Sequence, residues 1–216
     1  MMRKFLNVEI IVSIVSFTLF LLLIWLLKVV DVQSIGPQNS LVGLASLNKL
    51  FNLEIGFNAF WYNLTEVIGY VAILLALGFG ILGVVQLFKR RSFKKVDKNL
   101  YVLLGLYILI AITYVFFEKV IINYRPIVNV ELEASFPSTH TMLVLCIAGS
   151  GVIEFDRYVK DKKVNLTVKI ILFLMILLTV VGRLLSGVHW FSDILGGLLI
   201  STCYVSLYAG VLRLLK

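Results

Sequence analysis

Six apolar stretches, each about the length needed to cross a lipid bilayer, set the limits on what this chain can fold into. They run roughly over Phe5–Val30, Val67–Phe88, Leu100–Phe117, Ser138–Phe155, Val168–Leu185 and Asp193–Leu215. A helix needs ~20 mostly apolar residues to span hydrocarbon, where backbone N–H and C=O groups find no water and must pair within the segment. The third and fourth stretches are short and polar at one end, so five spans with one re-entrant segment is the competing count. The adopted reading is an all-α, six-transmembrane-helix bundle forming a single domain over residues 1–216. Composition agrees: 60% of residues are hydrophobic and 15% charged, against about 25% charged in an ordinary soluble domain. The first apolar run is too long for a signal-peptide core and no small-residue cleavage motif follows it, so it reads as a retained span.

The net charge of +8 invites a nucleic-acid reading, which the placement of the charges opposes. Arg3 and Lys4 precede the first span. Lys89, Arg90, Arg91, Lys94, Lys95 and Lys98 fall between the second and third, and Arg157, Lys160, Lys162, Lys163 and Lys169 between the fourth and fifth. With Arg213 and Lys216 at the end, 15 of the 20 basic residues lie on one side of a six-span protein. The positive-inside rule makes that side the cytoplasm, with both termini in it and the chain in the cell membrane. Lys28, Lys49, Lys119, Arg125 and Arg183 remain for the outer side. Cys146 and Cys203 sit inside apolar runs without metal-ligand spacing and read as small buried hydrophobes.

The outer connection Asp31–Glu66 is long for a membrane bundle. Its LVGLASLNKLF segment has a helical apolar period from Leu41 to Phe51, followed by the aromatic cluster Phe57, Phe60, Trp61 and Tyr62. The expectation is an interfacial helix anchoring the loop, with a wall or lid for a lipid headgroup as the functional alternative.

The chemistry concentrates in three outer patches: NYRP with Arg125, SFPSTHTM with Ser138 and His140, and GRLLSGVHWFSD with Arg183, His189 and Asp193. Asp193 follows His189 by four residues, so on a continuing helix both face the same way. A carboxylate on one ring nitrogen fixes the tautomer and turns the other outward, as attack on phosphorus requires. Arg125 and Arg183 offer always-charged planar forks for phosphate oxygens. Ser138 stands at the start of the fourth span, where free backbone N–H groups and the positive end of the helix dipole seat a phosphate. His140, one turn in, is placed to give a proton to a leaving oxygen.

This set resembles the type 2 phosphatidic acid phosphatase superfamily, the histidine-dependent lipid phosphatases and their haloperoxidase relatives. The matching pieces are Arg125-Pro126, Pro137-Ser138-Thr139-His140, and Arg183, His189 and Asp193 in the family's spacing. They cover about Glu118 to Gly197 closely, and the six-span layout extends the likeness over the chain. The resemblance implies an active site at the non-cytoplasmic face. His189 would attack the phosphoryl group and form a phosphohistidine, Asp193 would orient it, and His140 would protonate the departing alkoxide. Arg125, Arg183, Ser138 and the Thr139 backbone would hold phosphate oxygens, and no metal or other cofactor would be needed. Two positions depart from the family pattern. Glu118 stands where the family has a lysine, with Lys119 one place later as the substitute cation, and Gly182 stands where it usually has serine.

The function expected is hydrolysis of the phosphate or diphosphate ester of a membrane lipid, releasing inorganic phosphate. Undecaprenyl diphosphate, phosphatidylglycerophosphate, phosphatidic acid and related prenyl phosphates are the candidate substrates. The alternatives are a lipid phosphotransferase using the same histidine and a catalytically weak lipid-binding or transport protein. Partners are the substrate and the bilayer, not nucleic acid; the oligomeric state is left open.

Overall fold

A computed structural model of the chain describes residues 8–52, 56–127 and 132–215. Arg3, Lys4, Lys216 and the start of the first predicted span lie outside the described residues. Seven helices follow in order: α1 Val8–Val29, α2 Ala45–Asn52, α3 Ala59–Arg90, α4 Lys98–Lys119, α5 Thr139–Tyr158, α6 Lys162–Leu185 and α7 Phe191–Leu214. Among the described residues the only extended pairing is two isolated bridges, Gln33 with Val42 and Tyr124 with Ala134. The long apolar runs are free to be helical because all three prolines, Pro37, Pro126 and Pro137, fall in connections. Local caps fix the starts: the Asn58 side chain accepts from Trp61 N, and Asp161 accepts from Lys163 N and Val164 N. Each satisfies backbone donors that a helix start leaves open.

Five of these helices, α1, α3, α4, α6 and α7, are long and apolar enough to cross a membrane; the chain is a multi-pass membrane protein. The remaining long helix, α5, is the fourth predicted span. It lies outside that group because it carries Glu154, Asp156 and Arg157 near its end. Its neighbours shield it: α5 packs on α3, α4, α6 and α7, while α1 lies along α7. The outward faces of the surrounding helices are apolar, with Leu21, Trp25, Leu74, Phe88, Leu104, Ile112, Ile170 and Phe173 exposed.

Two boundaries correct the sequence reading. The second span begins at Ala59 rather than Val67, so Phe60, Trp61, Tyr62 and Glu66 stand on α3 and not in the outer connection. At 32 residues α3 is ~48 Å long, well beyond the ~30 Å of a hydrocarbon core. Its aromatic first turns extend the helix past the apolar layer. The expected helix from Leu41 to Phe51 shortens to α2, preceded by a turn at Pro37–Asn39.

Two polar or aromatic clusters tie the bundle at its ends. Phe136, from the connection before α5, sits between Phe20 of α1 and Phe117 of α4, with centroids 5.7 and 5.9 Å away. Between helices already surrounded by lipid, such van der Waals packing is what association rests on. At the far end of α5 the buried Glu154 accepts hydrogen bonds from Asn99 of α4 and Tyr208 of α7. Tyr158 hydroxyl continues the network to Asp97 at 3.0 Å, which also takes Gln86 at 2.8 Å and Arg90 at 2.6 Å. A buried carboxylate this well partnered holds three helices in register.

Candidate active site

The site forms where the α4–α5 connection, the start of α5, the end of α6 and the α6–α7 turn converge. His189 lies in that turn, before α7 begins, and Asp193 is in the first turn of α7. The expectation that both lie on one continuous helix is therefore corrected. The chain turns at Gly187, whose φ of +70° and 2.0 Å approach of a built Cβ to Gly56 O admit only glycine. Asp193 instead caps its own helix by accepting from Trp190 N at 2.9 Å.

The direct His189 Nδ1 to Asp193 Oδ2 separation is 3.7 Å, too long for a hydrogen bond. Ser135 fills the gap. Its hydroxyl donates to Asp193 Oδ2 at 2.5 Å and stands 3.1 Å from His189 Nδ1. With the hydroxyl proton committed to the carboxylate, the oxygen is free to accept from Nδ1–H. That fixes the tautomer with a lone pair on Nε2. His189 Nε2 is buried with no protein partner, the state of a nitrogen reserved for an incoming electrophile. Burial also lowers the His189 pKa, against the pull of Asp193, so the imidazole stays neutral to lower pH than a free one. Asn123 Nδ2 donates to the second carboxylate oxygen at 3.2 Å, and Ser138 N donates to the Asp193 carbonyl at 2.9 Å. Asp193 thus links all three sequence patches.

His140 occupies the first turn of α5, and Ser138 caps that helix, accepting from Thr141 N at 3.5 Å and from Thr141 Oγ1 at 3.0 Å. Thr139 is the first helical residue. Arg183, fully buried near the end of α6, donates from Nη2 to Glu66 at 2.8 Å. Among the described residues its Nε and Nη1 have no hydrogen-bond partner, nor do Arg125 Nε and His140 Nδ1. Arg125 pairs through Nη1 with Glu133 at 2.9 Å. The charges of Arg125 and Arg183 both act on His189, and that of Arg183 also acts on His140. Buried donors without acceptors, grouped around a neutral imidazole, form a seat for a multiply charged oxyanion.

Lys119 ends α4 exposed, as does Glu118 beside it, and neither has a hydrogen bond or ion pair among the described residues. Glycine at 182 has a packing reason. A Cβ there would stand 2.6 Å from Thr65 Cγ2 and 3.2 Å from the Trp61 ring, so α3 closes on α6 only over a hydrogen. Gly182→Ser is expected to cost ~1–3 kcal/mol and to lower the thermal midpoint in detergent without gaining a phosphate ligand. An unchanged midpoint would show that α3 yields there.

The sequence reading did not single out Ser135, Asn123, Asn48 or Glu66. Asn48, buried on α2, donates to Ser192 Oγ at 3.1 Å and accepts from Ser192 N at 3.1 Å; with Phe51 stacked on Phe191 at 4.4 Å, it pins the outer connection to the start of α7. No local spacing announces such contacts. Below His140 opens a groove of about 490 Å³ between α3, α4 and α5. Glu66 and His140 stand at one end, and its walls are mostly apolar, including Ile73, Leu77, Ile110 and Leu143.

The sequence model of the PAP2 superfamily matches residues 100–214, more than half of the chain and all of its candidate catalytic positions. The chain belongs to the PAP2 superfamily. Among solved structures, it resembles the first transmembrane PAP2-type phosphatidylglycerolphosphate phosphatase from Bacillus subtilis. The TM-score is 0.66 at 20% identity, covering 94% of this chain and 97% of that one. At that identity the likeness is one of fold. A comparison with curated proteins found no match. Glu66 lies outside the residues that the PAP2 model matches, as do α1, α2 and all of α3.

Proposed function

We propose that this PAP2 protein hydrolyses the phosphate ester of a membrane lipid through a phosphohistidine on His189. The observation that carries the proposal is the junction of two environments. A cluster of buried, unpartnered donors meets an apolar groove of about 490 Å³ at His140. A phosphate with an acyl or prenyl chain matches both; a free sugar phosphate leaves the groove unused.

In this reading His189 Nε2 attacks phosphorus, the N–P bond forms and the ester P–O bond breaks. The departing oxygen takes a proton from His140. Water then attacks the phosphohistidine, breaking P–N and releasing inorganic phosphate. Arg125, Arg183, Ser138 and the Thr139 backbone hold the oxygens as charge shifts in the transition state. The unattached nitrogens of the two arginines support that assignment. The reaction runs on these side chains without a metal.

In this reading α5 crosses the membrane together with the five longer apolar helices, so the two histidines lie on the face opposite the lysine- and arginine-rich connections, taken as the outer face of the cell membrane. Phosphatidylglycerophosphate is favoured among the candidate substrates because the structural neighbour is a phosphatidylglycerolphosphate phosphatase. Undecaprenyl diphosphate and phosphatidic acid fit the same groove. Transfer of the phosphoryl group to a lipid hydroxyl uses the same first step and differs only in what attacks the phosphohistidine.

The test is phosphate release from a panel of lipid phosphates in detergent, with and without EDTA. EDTA-insensitive release supports the proposal and ranks the substrates. Binding without release from any of them overturns it. In the same assay Lys119→Ala is expected to leave kcat/KM within ~3-fold, as for surface changes remote from a site. A loss of ~100-fold would instead place its ammonium on the phosphate.

A further inference from the structure

Glu66 makes two contacts that the proposed chemistry does not yet use. Its Oε1 lies 3.1 Å from His140 Nε2 and 2.8 Å from Arg183 Nη2. It stands on α3, at the junction between the phosphate donors and the apolar groove. A carboxylate beside a phosphate seat demands an account, because like charge in a site of low dielectric is costly.

We infer that Glu66 is the positioning residue of His140, forming with it a second carboxylate–histidine pair that serves departure of the lipid alcohol as the Asp193 pair serves attack. The inference rests on the proposed role of His140 as the acid. Three observations carry it. The carboxylate takes Nε2 of His140, so the imidazole is held in one orientation and Nδ1, buried and without a protein partner, is the nitrogen left for the leaving oxygen. It takes only one of the three guanidinium nitrogens of Arg183; Nε and Nη1 stay open, so a phosphate binds without displacing it. Its place at the mouth of the groove is where the ester oxygen of a lipid phosphate must lie, since the chain runs into the groove and the phosphate toward His189.

The proton balance is simple. Doubly protonated His140 gives the Nδ1 proton to the alkoxide as the P–O bond breaks. Its Nε2–H stays on Glu66 throughout, and water restores the lost proton. The negative charge of Glu66 favours the imidazolium before the step. It also offsets the second positive charge that Arg183 would otherwise set beside it. A neutral Gln at this position preserves the shape and removes that charge.

The experiment compares the full-length enzyme with Glu66→Gln, Glu66→Asp and His140→Ala on two monoesters, dodecyl phosphate and p-nitrophenyl phosphate. Dodecanol is a poor leaving group that needs a proton; nitrophenolate needs little help. Glu66→Gln is expected to lower kcat for dodecyl phosphate ~100-fold and for the aryl ester less than ~5-fold, the pattern of lost acid catalysis. His140→Ala should show the same asymmetry, the double variant no further loss, and Glu66→Asp a partial return. Equal losses on both esters would overturn the inference and make Glu66 a support for Arg183 alone. So would tighter binding of orthovanadate with unchanged selectivity between esters, the mark of a carboxylate that competes with phosphate. If His140→Ala keeps its asymmetry while Glu66→Gln has none, only the role of Glu66 falls. If His140→Ala itself shows no asymmetry, the acid assignment falls and this inference with it.

Discussion

His189→Ala is expected to reduce phosphate release from any lipid phosphate by at least ~10⁴-fold. The size follows from what the residue supplies. A nucleophile that forms a covalent intermediate splits one slow displacement into two easier ones. The remaining donors cannot replace it, because Arg125 and Arg183 have no lone pair to offer. Losses of 10⁴–10⁶ are typical when a covalent nucleophile is removed from a site that otherwise stays intact. The fold should survive, since His189 makes one side-chain hydrogen bond, to Ser135, and its other nitrogen is unpartnered. Phosphate release by the purified variant and an acid-labile, base-stable phosphoenzyme in the wild type are the paired measurements. Substantial turnover by the alanine variant would place the nucleophile elsewhere.

Asp193→Asn is the second large effect, expected at ~10³–10⁴-fold in kcat, with a stability loss of ~1–3 kcal/mol because an NH₂ in place of Oδ2 leaves Trp190 N–H without its acceptor. The carboxylate accepts from Ser135, Trp190 N and Asn123. An asparagine retains one acceptor oxygen and sets an NH₂ where the other stood. If that NH₂ faces Ser135, the hydroxyl must accept rather than donate, and its own proton then points to His189 Nδ1. The imidazole shifts to the tautomer with hydrogen on Nε2, the nitrogen that must attack. In a serine-protease triad the same substitution costs ~10⁴ for the same reason. Ser135→Ala separates the two roles: it removes the bridge and leaves the charge, so a smaller loss is expected, with the 3.7 Å pair closing directly. A stopped-assay comparison of the three variants, with circular dichroism to show retained helix, decides between tautomer control and simple charge. An Asp193→Asn enzyme of near wild-type rate would reject both.

The architecture was legible where the signal was long and repetitive. Six apolar runs became six long helices, because nothing competes with helix for a proline-free apolar segment surrounded by lipid. The boundaries misled where a helix leaves the apolar layer. Phe60, Trp61 and Tyr62 read as an aromatic cluster at the membrane boundary, in an outer connection ending at Glu66, yet the Asn58 cap starts the helix there. That error hid Glu66 from the chemistry, since a carboxylate in a loop suggests no partner. The His189–Asp193 spacing does bring the two side chains near one another, but through the Trp190 cap and the Ser135 bridge, not through a helical face. Ser135 was illegible for a simpler reason. It meets Asp193 across 58 residues, set there by the anchoring of Phe136 between α1 and α4 and by the Ser135 N to Asn123 O hydrogen bond. For Lys119, residue type and approximate spacing suggested a site cation, but the side chain ends α4 exposed.

The composition of α5 has a consequence for how the protein is made. In the proposed six-span arrangement this helix carries the proposed acid His140 at one end and Glu154, Asp156 and Arg157 at the other. Presented singly to a translocon, a segment with such charges partitions poorly, each charged side chain opposing insertion by ~2.5–3.5 kcal/mol at the helix centre and less toward its ends. Beyond the Arg157–Glu154 pair within α5, its charged groups find partners on segments synthesised before and after it: Asn99 of α4 and Tyr208 of α7 for Glu154, and Lys169 of α6 for Asp156. On the proposed six-span reading, α5 is expected to settle stably in the bilayer only after the C-terminal helix has emerged. Truncation before α7 should leave a chain whose fourth span is not stably in the bilayer, and quality-control proteases would meet it there.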